Sequence, residues 1–439
     1  DLSHKGRGVL SWFITKKTGS PLNKKQILSI SLGNTLEWLD FGLIIYMAPL
    51  IGATFFPHHT GTTATLETLT VFAAGFICRP LGGILFGHIG DTRGRAKPLR
   101  FSVLLIALST ILVGILPSYE TIGWLSPVLF TLIRLAQGIS IGGEYTGVMI
   151  MLAESAPKNK RGFITSFAAS GANLGFLLAT VSLILLKIFL SKQAIADWGW
   201  RLPFLLAGLP GLIILYYRFK LSETRIYSRL KSTHHLTAIP FVTALTLAPK
   251  QLLVILGLTC MSSSFYYIFF GFMPTYLDVF MGVPLQSSLF TQSLLLVAML
   301  FLVPVVGFLG DRFSRRNMLL LTASCIIIFS VPCFMLLGTT HQASIMLAMM
   351  IATIISSLDQ GNSLAAVVEN CPENVRYSGI AFSYNLGMAL FGGTAPIIVS
   401  LLLGQGGMLS PAYYLIGMAC VSLFAASYLL HHNQSMRPV

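Results

Sequence analysis

Gly87-His88-Ile89-Gly90-Asp91-Thr92-Arg93-Gly94-Arg95 reappears later in the chain as Gly307-Phe308-Leu309-Gly310-Asp311-Arg312-Phe313-Ser314-Arg315-Arg316. Each copy follows a long apolar run and opens into the next one. A second pair keeps nearly the same offset: Glu154-x-x-Pro157-x-x-x-Arg161 and Glu369-x-x-Pro372-x-x-x-Arg376. One polar turn of this kind means little. Two unrelated motifs recurring in register indicate an internal duplication. In each turn the aspartate can cap or pair with a neighbouring helix end while the arginines hold the loop at the membrane surface. Asp91, Arg95, Glu154, Arg161, Asp311, Arg315, Glu369 and Arg376 are therefore assigned to a gating or structural motif.

The runs between the motifs set the fold class. Of 439 residues, 54% are hydrophobic and only 10% charged, and the mean hydropathy is +0.76. A water-soluble protein carries about 25% charged residues. A hydrocarbon core needs roughly 20 apolar residues per helix, and twelve candidate spans meet that length: 28–55, 68–90, 99–117, 124–153, 162–190, 201–219, 251–278, 288–309, 317–338, 342–368, 377–404 and 411–431. The reading is an all-α polytopic membrane protein of two pseudo-symmetric six-helix bundles. Its expected parts are an N-terminal arm (1–26), a first bundle (27–220), a central loop (221–250), a second bundle (251–432) and a short tail (433–439).

Charge placement gives the expected orientation. Lys5, Arg7, Lys16, Lys17, Lys24 and Lys25 precede span 1; Arg93, Arg95, Lys97 and Arg100 follow span 2; Lys158, Lys160 and Arg161 follow span 4. The central loop is read as carrying Arg218, Lys220, Arg225, Arg229, Lys231 and Lys250, and Arg312, Arg315, Arg316, Arg376 and Arg437 fall on the same side. The other side holds only Lys187, Lys192 and Arg201. Basic residues collect in the cytoplasm, so both termini are expected there, in a bacterial inner membrane. This asymmetry accounts for the formal charge of +14 without any nucleic-acid partner. The six cysteines show neither metal nor disulfide spacing, and His88 and His341 read as bland. No metal, cofactor or catalytic set is expected, and the protein is expected to be monomeric.

Over essentially its whole length the chain resembles the major facilitator superfamily, with Thr92 and Ser314 departing from the usual loop pattern. The segments Ser31-Leu32-Gly33-Asn34-Thr35-Leu36-Glu37-Trp38-Leu39-Asp40-Phe41-Gly42, Arg79-Pro80-Leu81-Gly82-Gly83 and Ala136-Gln137-Gly138-Ile139-Ser140-Ile141-Gly142-Gly143-Glu144-Tyr145-Thr146-Gly147 are similar to the metabolite:proton symporters within it, as is Asp197-Trp198-Gly199-Trp200-Arg201-Leu202-Pro203-Phe204. Gly142–Gly147 and Pro411-Ala412-Tyr413-Tyr414-Leu415 look most like the branch carrying proline and glycine betaine. Phe391-Gly392-Gly393-Thr394-Ala395-Pro396 looks closer to carriers of 2-oxoglutarate, citrate or shikimate. The resemblance implies a midplane cavity between two rocking bundles and proton-driven uptake of a small polar metabolite, with a zwitterion leading and an organic acid as the alternative.

Ionisable groups at membrane depth cost several kcal/mol, about 2.5 upward, and so mark pathways. Glu37, Asp40, Arg79, Arg134, Glu144 and Asp359 qualify. Glu37 and Asp40 share a helix face. Two carboxylates in low dielectric do not easily both ionise, so they are expected to couple protons together with Glu144. Structural capping or pairing, with Arg79 as the candidate partner, is the competing reading. Arg79 offers a planar fork either to a substrate carboxylate or to Asp40. Arg134 reads as structural or gating, with Glu144 as its candidate partner. Asp359 either lines the cavity or marks a kink. Tyr46, Tyr145, Tyr266 and Tyr267, with Trp38, are candidates for a cation–π box. Asn173 and Asn385, at corresponding places in the two halves, are candidate substrate ligands. A polytopic membrane enzyme and a non-transporting sensor are the other classes considered.

Overall fold

The computed structural model describes residues 24–57 and 62–433. Most of the expected arm at 1–26, and all of the tail except Asn433, lie outside them. Among the described residues every regular element is helical. Eleven helices are long and apolar enough to cross a bilayer, and one bent pair supplies the twelfth.

The spans are α1 (Gln26–Tyr46 and Ala48–Phe55, bent by 73°), α2 (Thr70–Arg93), α3 (Ala96–Ile115) and α4 (Leu125–Ser155). They continue as α5 (Arg161–Phe189), α6 (Arg201–Phe219), α7 (Pro249–Val279) and α8 (Leu285–Arg312). The last four are α9 (Arg315–Gly338), α10 (Gln342–Asn370), α11 (Arg376–Gly404) and α12 (Ser410–Asn433). Two of them loosen into wider π-type turns at mid-length, α7 at Tyr267–Phe272 and α11 at Met388–Gly393. Pro274 and Pro396 follow these turns. A proline cannot donate to the preceding turn, and π-type turns recur where a helix serves a site.

Glycines decide how close the helices come. A Cβ on Gly82 would lie 1.9 Å from the Ile139 carbonyl oxygen, and one on Gly138 would lie 1.9 Å from that of Gly75. Thus α2 and α4 touch backbone to backbone. Across the seam between the bundles, a Cβ on Gly83 would meet the Ala381 oxygen at 2.5 Å, and one on Gly162 the Gly307 oxygen at 2.7 Å. Lipid gives helices no hydrophobic reason to associate, so close packing of small residues does the holding. The seam therefore runs along α2–α11 on one flank and α5–α8 on the other.

The central connection contains two short helices, Arg225–Ser232 and Pro240–Leu247. Arg218, read from sequence as part of this loop, is instead wholly buried inside the first bundle. Its helix continues through Phe219, so the last basic residue of α6 turns inward.

Candidate functional site

The recurring motifs meet at one face of the molecule and close it. Asp91, at the end of α2, accepts the backbone N–H groups of Tyr377 (3.2 Å) and Ser378 (2.8 Å) at the start of α11. Asp311, at the end of α8, accepts those of Gly162 (2.7 Å) and Phe163 (2.8 Å) at the start of α5. Each half thus caps a helix of the other, where unsatisfied N–H groups and the helix dipole favour an anion. Arg95 pairs with Asp91 and reaches Glu154 (3.4 Å), which also receives Arg376 Nη1 (3.2 Å). Arg315 pairs with Asp311 (2.7 Å) and Glu369 (3.3 Å), and Glu369 also receives Arg161 Nη1 (3.3 Å). The two networks are images of one another.

Sequence reasoning missed one participant, Glu223. Its carboxylate accepts the N–H of Arg95 (2.8 Å) and of Ala96 (3.2 Å). Gly94, at φ +111°, leaves room for it. Beside it Thr224 donates to Glu154 (2.6 Å) and Tyr227 to the Thr92 carbonyl (3.0 Å). Burial pushes the Glu223 carboxyl above its ordinary range, opposed by those backbone donors.

Deeper in, the charges of the first bundle separate into unlike roles. Asp40 does not pair with Arg79. It forms an ion pair with Arg134 and accepts Thr110 Oγ1 (3.0 Å) and Gln137 Nε2 (3.1 Å). Glu144 does not pair with Arg134 either. It binds Arg218, which also donates to the carbonyls of Leu99 and Ile30 (3.1 Å), and it accepts Ser102. These two closed ion pairs tie α1, α3, α4 and α6 together. Glu37 is different: both of its oxygens are buried and accept nothing. Asp40, on the same helix face, is held by the arginine and glutamine of α4, whereas Glu37 has no such partner.

Arg79 is fully buried at the head of the lower part of α2. Its Nε donates to Asn385 Oδ1 (3.0 Å), its guanidinium lies 4.9 Å from the Phe76 ring centroid, and Nη1 and Nη2 have no acceptor. Asn385 is fixed in turn by donating to the carbonyls of Gly142 (2.8 Å) and Ala381 (2.7 Å). Asn173 occupies the counterpart position: it accepts Tyr266 Oη (2.9 Å) and donates to Gln360 Oε1 (3.0 Å). Each asparagine bridges the bundles.

Between the bundles, at mid-depth, lies a cavity of about 40 Å³ walled by the rings of Trp38, Tyr145, Tyr266, Tyr267 and Tyr384. Ring centroids stand 5.6 Å apart for Trp38–Tyr145, 6.0 Å for Trp38–Tyr266 and for Trp38–Tyr267, and 5.5 Å for Tyr145–Tyr384. Asp359 closes the box, with its Oδ1 unpartnered. It therefore lines the cavity, the reading sequence had left open. A single water occupies roughly 10–15 Å³ on this measure, so the box is drawn in tight. Tyr145, Tyr266 and Tyr267 line it. Tyr46 does not: its hydroxyl donates to the Phe270 carbonyl (2.9 Å) and receives Gln292, tying α1 to the loosened turn of α7 beyond the box. Tyr384 was missed, although it adjoins Asn385. Among the described residues no group of three His, Cys, Asp or Glu could hold a metal, and the cysteines are free thiols.

A family model described as Major Facilitator Superfamily matches residues 30–393. A glycine betaine/proline/ectoine/pipecolic acid transporter of Dickeya dadantii is 34% identical over 415 residues, covering 92% of this chain and 83% of that protein. A proline/betaine transporter of Escherichia coli K12 is 33% identical over 409 residues, covering 91% and 82%. Among solved structures, a proton:xylose symporter bound to 6-bromo-6-deoxy-D-glucose aligns with a TM-score of 0.74 at 16% identity, over 95% of this chain and 97% of that one.

Proposed function

The chain belongs to the major facilitator superfamily, and from that membership we propose that it imports a small zwitterion of the proline or betaine kind together with a proton. It is a multi-pass membrane transporter and not an enzyme. The observation that carries the substrate is the pairing of the aromatic box with two unspent charges. A quaternary or secondary ammonium fits over indole and phenol faces, with the free oxygen of Asp359 at the same wall. The guanidinium of Arg79, whose two Nη atoms are buried without an acceptor, suits the carboxylate at the other end of the solute. An organic acid would find the same guanidinium but also the charges of Asp359 and Glu37 against it. Asn173 and Asn385 position these groups from either side.

Glu37 is the proton carrier in this proposal. A buried carboxylate with no donor holds its charge at high cost, and taking up a proton relieves it. Asp40 and Glu144, each satisfied by an arginine, hold the bundle in shape. The units that rock are residues 27–220 and 251–432. The face sealed by the two aspartate caps is the cytoplasmic one, with both termini on that side of a bacterial inner membrane, because the loops there carry most of the basic residues. The working unit is one chain.

The test is uptake into proteoliposomes with an acid-outside pH gradient. Accumulation of proline or glycine betaine against its own gradient, collapsed by a protonophore, is the expected result. Accumulation of 2-oxoglutarate, citrate or shikimate without competition from betaine overturns the substrate. Absence of any counterflow would leave a sensor instead.

A further inference from the structure

A groove of about 310 Å³ opens on the outside of the first bundle, at the face closed by the loop motifs. Its floor is α3 and its walls are α2 and α6. All three helices grade the same way. On α2, Arg93 ends the helix and Ile89 lies one turn deeper. On α3, Lys97 and Arg100 stand near the start, with Phe101 and Leu104 below them. On α6, Phe219 ends the helix and Leu215 lies one turn deeper. From Lys97 to Leu104 the rise is about 10 Å. The groove is cationic at its mouth and apolar along its depth.

Its cations are not neutralised within the chain. Arg93 and Lys97 are exposed, and their side chains have no partner among the described residues. Arg100 donates Nε to the Arg218 carbonyl (3.1 Å) and Nη2 to that of Leu221 (3.2 Å), which orient it and leave its charge in place. Its guanidinium lies 5.6 Å from the centroid of the Phe219 ring. No acid is among the described residues lining the groove. Glu223 is near enough for Arg100 to act on its charge, but its oxygens are committed to the backbone N–H groups of Arg95 and Ala96. By contrast, Arg95, Arg161, Arg315 and Arg376 each pair with a carboxylate. Beneath the three charges, Phe101 and Phe219 are more than half exposed. Such a cleft calls for an anion that carries hydrocarbon.

We propose that this groove binds one anionic diacyl phospholipid, its phosphate among Arg93, Lys97 and Arg100 and an acyl chain over Phe101 and Leu104. Basic residues at the membrane surface attract anionic lipid, and here three of them converge on one cleft with an apolar floor. The whole lining belongs to the first bundle, so the lipid rides with that bundle when the halves part. The inference does not rest on the identity of the transported solute.

The experiment is native mass spectrometry of the full chain released from nanodiscs made of equal parts phosphatidylglycerol and phosphatidylcholine with matched chains. One retained phosphatidylglycerol per protein is expected, at least tenfold above phosphatidylcholine. Arg93→Gln with Lys97→Gln lowers retention at least fivefold; Arg100 is kept, because it also ties α3 to α6. Lys158→Gln with Lys160→Gln, exposed cations between α4 and α5 and outside the groove, leaves retention unchanged. Equal retention of both lipids overturns the proposal, as does unchanged retention in the groove variant. An equal loss in the Lys158 and Lys160 variant would mean diffuse surface charge and overturn it too. Displacement by millimolar glycerophosphoglycerol, which has no chains, would reduce the site to a phosphate contact and also overturn it.

Discussion

Replacing Asp91 and Asp311 by asparagine, singly and together, tests whether the closed face is held by two equivalent caps. Each aspartate accepts two backbone N–H groups from the opposite half, at 2.7 to 3.2 Å. Asparagine keeps one acceptor oxygen and turns an amide toward the second N–H, so one bond to a charged acceptor is lost, about 1.5–3 kcal/mol. The favourable interaction with the helix terminus goes with it, about 0.3–1 kcal/mol. Asparagine recovers part of the first term, leaving about 2 kcal/mol per site, roughly a 30-fold shift in the closed-to-open ratio. The two sites share no partner, so the double variant should add to about 4 kcal/mol, roughly 700-fold. Nitroxides at Lys97 and Asn317, exposed on this face in the two halves, would report the change as growth of a longer distance in double electron–electron resonance. Asp278→Asn, an exposed acid outside both motifs, is the control. A large shift from one aspartate with none from the other would refute the equivalence, and no shift from the pair would refute the caps altogether.

Glu37→Gln should abolish accumulation against a gradient while solute exchange continues within about threefold. Uphill uptake that survives in that variant removes Glu37 from coupling. Arg218→Met leaves Glu144 as an uncompensated buried charge and should destabilise the first bundle by about 3–5 kcal/mol. Adding Glu144→Leu should recover most of the loss, read as thermal unfolding in detergent; no recovery means that the arginine acts through its carbonyl contacts instead. The Glu223 carboxyl, pushed up by burial, binds its proton more readily folded than unfolded. Its contribution to stability is therefore complete below its unfolded value of about 4.3 and declines as pH rises through the folded value. Glu223→Gln should flatten that segment of the melting temperature against pH, and an unchanged profile would contradict the sign.

The spans and the duplication were legible because both are written along the chain. Apolar length sets each crossing, and the Asp91 and Asp311 turns recur in order. Partner choice was not. Asp40, Arg79, Arg134 and Glu144 were all recognised as buried charges, yet their pairing depends on which helices lie side by side, and hydropathy carries no lateral information. Arg218 shows the limit most clearly. One residue from the end of an apolar run, it looked like a loop charge, and only the turn of α6 against Glu144 sends it inward. Tyr46 and Trp38 lie on much the same stripe of α1, so periodicity could not distinguish their depths, and only Trp38 meets the cavity. Glu223 and Tyr384 carried no signal beyond their neighbours.

The aromatic box is shared property. Trp38 and Tyr145 come from one half, while Tyr266, Tyr267, Tyr384 and Asp359 come from the other. A solute held there, as proposed, is fully surrounded only while the halves are apposed at this level, and any swing that admits water also strips away part of its enclosure. Under the proposed function, grip and release of the solute are then a single motion, the parting of the two walls.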